Sequence, residues 1–138
     1  MRKPDSGPFS VLIVEDDRSL LRALTFALGT EGFEIHPYAD GQSLLAESDI
    51  LADCLVIDQK LPGVDGLSLL AKLREREVAA PAILITSNPD RLCRQRARAA
   101  GVPIVEKPLL DGALRWEIEQ VVEASPLEAR PPPRSAPS

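Results

Sequence analysis

Three acids stand in a row at Glu15-Asp16-Asp17, directly after the apolar run 11–14 (VLIV), and Asp58 directly follows the run 54–57 (CLVI). Adjacent carboxylates at the end of a buried strand repel one another unless positive charge sits among them. Asp17 can cap a helix starting near Arg18, which accounts for one acid of the three. On neighbouring parallel strands Asp16 and Asp58 would converge, and converging carboxylates with an open side make a hard-oxygen site. Mg²⁺ suits such a site because it takes one or two carboxylates and keeps waters or phosphate oxygens for its other positions. The run 82–85 (AILI) ends in the hydroxyl residues Thr86-Ser87, and the run 102–105 (VPIV) ends in Glu106-Lys107-Pro108. Lys107, facing the acids, would supply the fixed positive charge they lack. Singly, each of these residues has an ordinary use as a cap, a turn or a surface group. Jointly they put acid, acid, hydroxyl and ammonium at the ends of the first, third, fourth and fifth runs. A carboxylate beside Mg²⁺ can attack a phosphoryl group, a transfer that needs positioning and positive charge more than covalent machinery. The cation, Lys107 and the Thr86 hydroxyl are the charge and the donors required.

The elements that must position these residues follow from periodicity. The four runs above, with 33–36 (FEIH), are short and rich in β-branched residues, as strands are. All but 33–36 are apolar nearly throughout, which predicts parallel strands covered on both faces. Leu20, Leu21, Leu24, Ala27 and Leu28 repeat at helical spacing before a Gly32 stop, and Asp40 can cap a short helix bearing Leu44 and Leu45. Leu67, Leu70, Ala71 and Leu73 mark a third helix. Asp90 caps a fourth with a Cys93-Ala97-Ala100 stripe, and Leu110, Leu114, Ile118 and Val121 give a fifth. Alternation of this kind predicts an α/β doubly wound, five-stranded parallel sheet, (βα)5, whose site lies at the carboxyl ends of the strands.

Composition bounds the rest. At 138 residues, 44% apolar and 27% charged, the chain has room for one ordinary domain. The net charge of −5 argues against nucleic acid as a direct partner. No apolar run approaches the ~20 residues that span a bilayer. Two cysteines are too few for a disulfide framework and suit a reduced cytoplasm; Cys54 and Cys93 read as small core residues. Residues 1–9 read as a flexible lead-in, 10–124 as the domain, and 125–138 as a Pro-rich disordered tail or linker.

The stretches 11–17 (VLIVEDD), 56–66 (VIDQKLPGVDG), 83–87 (ILITS) and 106–108 (EKP) resemble, in order and spacing, the receiver domain of two-component response regulators. The resemblance implies a flavodoxin-like, chemotaxis-regulator-like fold with strand order 2-1-3-4-5. It implies Asp58 as the phosphoacceptor, Asp16 as a direct Mg²⁺ ligand, Glu15 as a ligand through water, and the Lys60 carbonyl as a further ligand. Thr86 and Lys107 would bind the phosphoryl oxygens, and Lys107-Pro108 would be a cis peptide. Where related chains often carry Tyr or Phe this one has Ile104, and Lys60 and Asn88 stand at the positions that tune phosphoryl loss.

The implied partners are a histidine kinase or phosphotransfer protein and, through residues 88–118, a downstream protein or output domain. Arg91, Arg94 and Arg98 share one face of the fourth helix, a solvated face or an acidic partner's dock, and Trp116 lies off the apolar stripe of the fifth. Alternatives are a receiver cut from a longer transcription factor, a receiver-like interaction module that is never phosphorylated, and a phosphatase of the haloacid dehalogenase type. The last expects an acid two residues after its nucleophile, where this chain has Lys60.

Overall fold

The computed structural model describes residues 8–109 and 112–124. Its elements alternate as β1 (Ser10–Val14), α1 (Arg18–Thr30), β2 (Glu34–Tyr38), α2 (Gly41–Leu45), β3 (Cys54–Asp58), α3 (Gly66–Glu75), β4 (Ala82–Thr86), α4 (Arg91–Ala100), β5 (Ile104–Glu106) and α5 (Ala113–Ala124). All strand pairs are parallel and the order is β2-β1-β3-β4-β5, as the resemblance implies. The expected tail 125–138 lies outside the described residues, as does all of the lead-in but Pro8 and Phe9.

Strand alternation sorts the core into two layers. Leu12, Val14, Leu55, Ile57, Ala82 and Leu84 face a layer built with Leu44, Leu69, Leu70, Leu73, Cys93 and Ala97 of α2, α3 and α4. Val11, Ile13, Cys54, Val56, Ile83 and Ile85 face Leu24, Leu28, Leu114, Ile118 and Val122 of α1 and α5. This is why the central runs are apolar throughout: both faces of each strand are covered. β2 lies at an edge, half-buried, and Pro37 sits there without a donor to lose.

Four helices begin at an aspartate that accepts a backbone N–H of the first turn: Asp17 from Leu20, Asp40 from Ser43, Asp65 from Ser68 and Asp90 from Cys93. In a parallel βα sheet those helix starts share one edge with the strands' carboxyl ends, so the caps also position the site. Gly66 fixes the loop behind Asp58. Its N–H donates to the Gln59 carbonyl (2.9 Å), and a Cβ there would collide with the Asp58 carbonyl and lie 2.9 Å from the Gln59 Cα.

Three expectations are corrected. The run 102–105 is not a strand covered on both faces: β5 is a three-residue edge strand in which only Val105 is buried. Having a neighbour on one side only, and with Pro103 lacking an N–H, the chain pairs late. The buried stripe of α5 is Leu114-Ile118-Val122, with Val121 half-buried, because i, i+4, i+8 tracks one helix face; Leu110 lies outside the described residues. On α4, Cys93 and Ala97 are buried but Ala100, in the last turn before Gly101, is exposed.

Gly66→Ala is therefore expected to destabilise the fold by about 1–3 kcal/mol in urea denaturation, as overpacking against backbone does. A stability within about 0.5 kcal/mol of wild type would show that the loop yields.

Candidate functional site

Register brings the chemistry level. Val14 pairs with Ile57, Asp58 with Ile85 and Thr86 with Glu106, so Glu15, Asp58, Thr86 and Lys107 meet at one edge of the sheet. Period two along β1 carries Glu15 onto the face of Val11 and Ile13, toward α1 and α5, and it is fully buried. Its Oε2 accepts the Asp17 N–H (3.0 Å), and its Oε1 lies 2.9 Å from Lys107 Nζ. Lys107 is seated by its own N–H, which donates to the Thr86 carbonyl (2.9 Å), and it begins the cis peptide to Pro108. The same ammonium stands 3.4 Å from Asp58 Oδ2, while Asp58 Oδ1 accepts the Lys60 N–H (3.3 Å).

Asp58 is 2% exposed, Asp16 is open to solvent, and Glu15, Asp16 and Asp58 hold carboxylate oxygens within 4.8 Å of one another. Burial, and then the charge of Glu15, push the Asp58 carboxyl up to about 7 against the opposing pull of Lys107. Burial works against the Lys107 ammonium too, but the hydrogen bonds and charges of Glu15 and Asp58 together hold it above the usual lysine value. Three acids and one ammonium leave negative charge in surplus. The donors are all hard oxygens, with Asp16 on the open side, and so suit a small divalent cation.

The sequence-derived residues therefore converge, with qualifications. The buried Thr86 hydroxyl donates to the Ser87 carbonyl (3.4 Å) and not to an acid. Lys60 meets Asp58 through its amide. Its side chain lines an open cleft of about 350 Å³ together with Thr86, Asn88, Asp65 and Arg96. Asn88 turns the β4–α4 loop with a φ of 45°. The Asp17 side chain caps α1, and its own N–H donates to Glu15. Arg94 pairs with Glu106 (3.0 Å), so the arginine face of α4 is partly tied to β5. Cys54 and Cys93 are buried free thiols, and burial pushes both up.

Three residues escaped the sequence reading. Gln59 Oε1 accepts the Leu67 N–H (2.9 Å), and Asp65 both caps α3 and pairs with Arg96 (3.3 Å). Gly66 stands in the sequence reading only as the last residue of the stretch 56–66. The pairing of Glu15 with Lys107 was within reach, since the period-two pattern of Val11 and Ile13 already buries Glu15 and a buried acid calls for a cation.

The fold and its acid–ammonium edge define a doubly wound α/β protein with a site at the carboxyl ends of its strands. Residues 11–119 match the response regulator receiver domain. Among curated relatives, the transcriptional regulatory protein TrcR of Mycobacterium tuberculosis is 33% identical over 102 residues, covering 73% of this chain and 40% of its own length. The transcriptional regulatory protein FixJ of Bradyrhizobium diazoefficiens is 28% identical over 114 residues, 81% of this chain and 56% of its own. The crystal structure of a CheY-like receiver domain protein from Methanospirillum hungatei superposes with a TM-score of 0.78 at 25% identity, covering 86% of this chain and 96% of that one. The chain belongs to the response regulator receiver family, a signalling module of two-component systems. It spans roughly half or less of the curated relatives it matches.

The raised Asp58 carboxyl has a sign. Between the unfolded value near 4 and the folded value of about 7, the native state keeps a proton that the unfolded chain has released. Stability in metal-free buffer with chelator is therefore expected to fall as pH rises from 4 to 7. Asp58→Asn, which buries no charge, should raise the thermal midpoint at pH 7.5 by about 4 °C or more. Equal midpoints for the two proteins at pH 7.5 would mean that Asp58 ionises in the fold without penalty.

Proposed function

We propose that Asp58 accepts a phosphoryl group, with Mg²⁺, from a histidine kinase or phosphotransfer protein. The observation that carries this is the Asp58 carboxylate, buried beside Glu15 and Lys107 with the exposed Asp16 on its open side. Asp16 and Asp58 would hold the cation directly, the Lys60 carbonyl would complete the protein's share, and Glu15 would act through water. When bound, the cation neutralises charge on the phosphoryl oxygens and draws Asp58 into its ionised form. An Asp58 oxygen then attacks phosphorus as the bond to the donor's imidazole nitrogen breaks, and that nitrogen keeps the electron pair. Lys107 is already within 3.4 Å of Asp58 and would pair with the arriving phosphoryl oxygen. The buried Thr86 hydroxyl would turn from the Ser87 carbonyl to donate to another.

Catalysis is confined to the protein's own phosphorylation and dephosphorylation. A haloacid-dehalogenase-type phosphatase needs an acid where Lys60 stands, and the ammonium cannot serve. The turning Thr86 would move the Asn88–Asp90 loop and the Arg94–Glu106 pair, and so alter the 88–118 surface for a downstream protein or output domain. Ile104 packs against the core where related chains carry an aromatic, so that change runs through packing. Relatives named as transcriptional regulators, about twice as long as the match, favour a receiver that works within a longer transcription factor. The proposed setting is the cytoplasm, with no direct nucleic-acid contact by residues 10–124. No described helix is long and apolar enough to cross a membrane.

With Mg²⁺ and a small-molecule phosphodonor, intact-mass and peptide analysis should find one phosphoryl group, on Asp58, absent without Mg²⁺ and absent from Asp58→Asn. Label that persists in Asp58→Asn, or that forms equally in chelator, would contradict this reading.

A further inference from the structure

Trp116, the only tryptophan of the chain, is 57% exposed on α5. An aromatic that large is unfavourable in water unless something covers it, and among the described residues nothing does. It walls a groove of about 550 Å³ between β5 and α5 whose apolar side chains are Ile104, Val105, Ala113 and Trp116 and whose acids are Glu106 and Glu117. Glu106 shares its charge with Arg94, while Glu117 has no ion-pair partner among the described residues. The groove is therefore apolar with an acidic rim.

Beyond α5 the sequence runs through 130–134, Arg-Pro-Pro-Pro-Arg. We propose that this segment docks in the Trp116 groove of its own chain, prolines on the indole and arginines on the acidic rim. Proline rings favour an extended helix of about 3.1 Å per residue, which sets the two arginines about 12 Å apart on either side of an apolar face. Aromatic-walled grooves take such segments because little entropy is left to lose. Reach is ample: Trp116 lies eight residues, about 12 Å, back from Ala124 along α5. The six residues from 125 to 130 extend up to roughly 20 Å. A tether that short gives an effective concentration of order mM, so a contact too weak to form between molecules forms within one. The contact needs no phosphoryl group and stands apart from the signalling reading. Only its consequence, that a downstream protein must displace the segment, rests on it.

The test compares the full chain with a full-length variant carrying Arg130→Glu, Arg134→Glu and Pro131, Pro132 and Pro133→Ser. All five positions lie outside the described residues and none belongs to β1–β5 or α1–α5, so circular dichroism should be unchanged and Asp58 should be phosphorylated in both. At low salt, acrylamide should quench Trp116 fluorescence about two-fold less in the native chain than in the variant. The difference should hold across a hundred-fold or so dilution and shrink in about 1 M salt. Equal quenching in the two proteins would overturn the proposal. Protection that disappears on dilution would overturn it in favour of a second copy of the chain in the groove.

Discussion

One ammonium lets two carboxylates lie buried at the end of this sheet. Lys107 Nζ stands 2.9 Å from Glu15 and 3.4 Å from Asp58. Attraction between unit charges about 3 Å apart is roughly 5 kcal/mol at an effective dielectric constant of about 20, the same order as the several kcal/mol a carboxylate loses on leaving water. One ammonium can thus offset one buried acid but not two. Glu15, fully buried and closer, takes the larger share, and the shortfall falls on Asp58, whose carboxyl holds its proton up to about 7. That shortfall is what a divalent cation at the open Asp16 side would make good, so stability and metal binding would meet at one residue.

The rest of the architecture serves that edge. Parallel strands in register bring Glu15, Asp58, Thr86 and Lys107 level, and aspartate caps start four helices there. Gly66 lets the loop after β3 fold back onto the Asp58 carbonyl, and Gln59 holds the first turn of α3. Two ion pairs flank the site: Asp65 with Arg96 toward α4, and Arg94 with Glu106 toward β5.

Most of this was legible in the residues. Continuous apolar runs at 11–14, 54–57 and 82–85 announced strands covered on both faces, and the aspartates at 17, 40 and 90 announced helix starts. Trp116, off the apolar stripe of α5, is indeed exposed. What escaped was long-range. The order 2-1-3-4-5 that the resemblance implies already puts β5 at an edge, but a single apolar run does not encode that the chain pairs there over three residues only. The need for glycine at 66 comes from the Asp58 carbonyl eight residues away, and the choice of Val122 over Val121 from how α5 rolls against the sheet. The sequence sets Lys107 facing the acids as a group; that it lies nearer Glu15 than Asp58 is read from the distances.

A double-mutant cycle on Glu15 and Lys107 tests the charge balance at its source. Glu15→Gln, Lys107→Met and the double variant would be unfolded in urea at pH 7.5 in metal-free buffer, each with its m-value. Lys107→Met strands a buried acid and should cost about 3–5 kcal/mol. The double variant no longer strands Glu15 and leaves only Asp58 without the ammonium, so the two losses should fall short of additivity by about 1–3 kcal/mol. Losses that add to within about 0.5 kcal/mol would contradict the account, because they would mean that Glu15 and Lys107 are buried side by side without depending on each other.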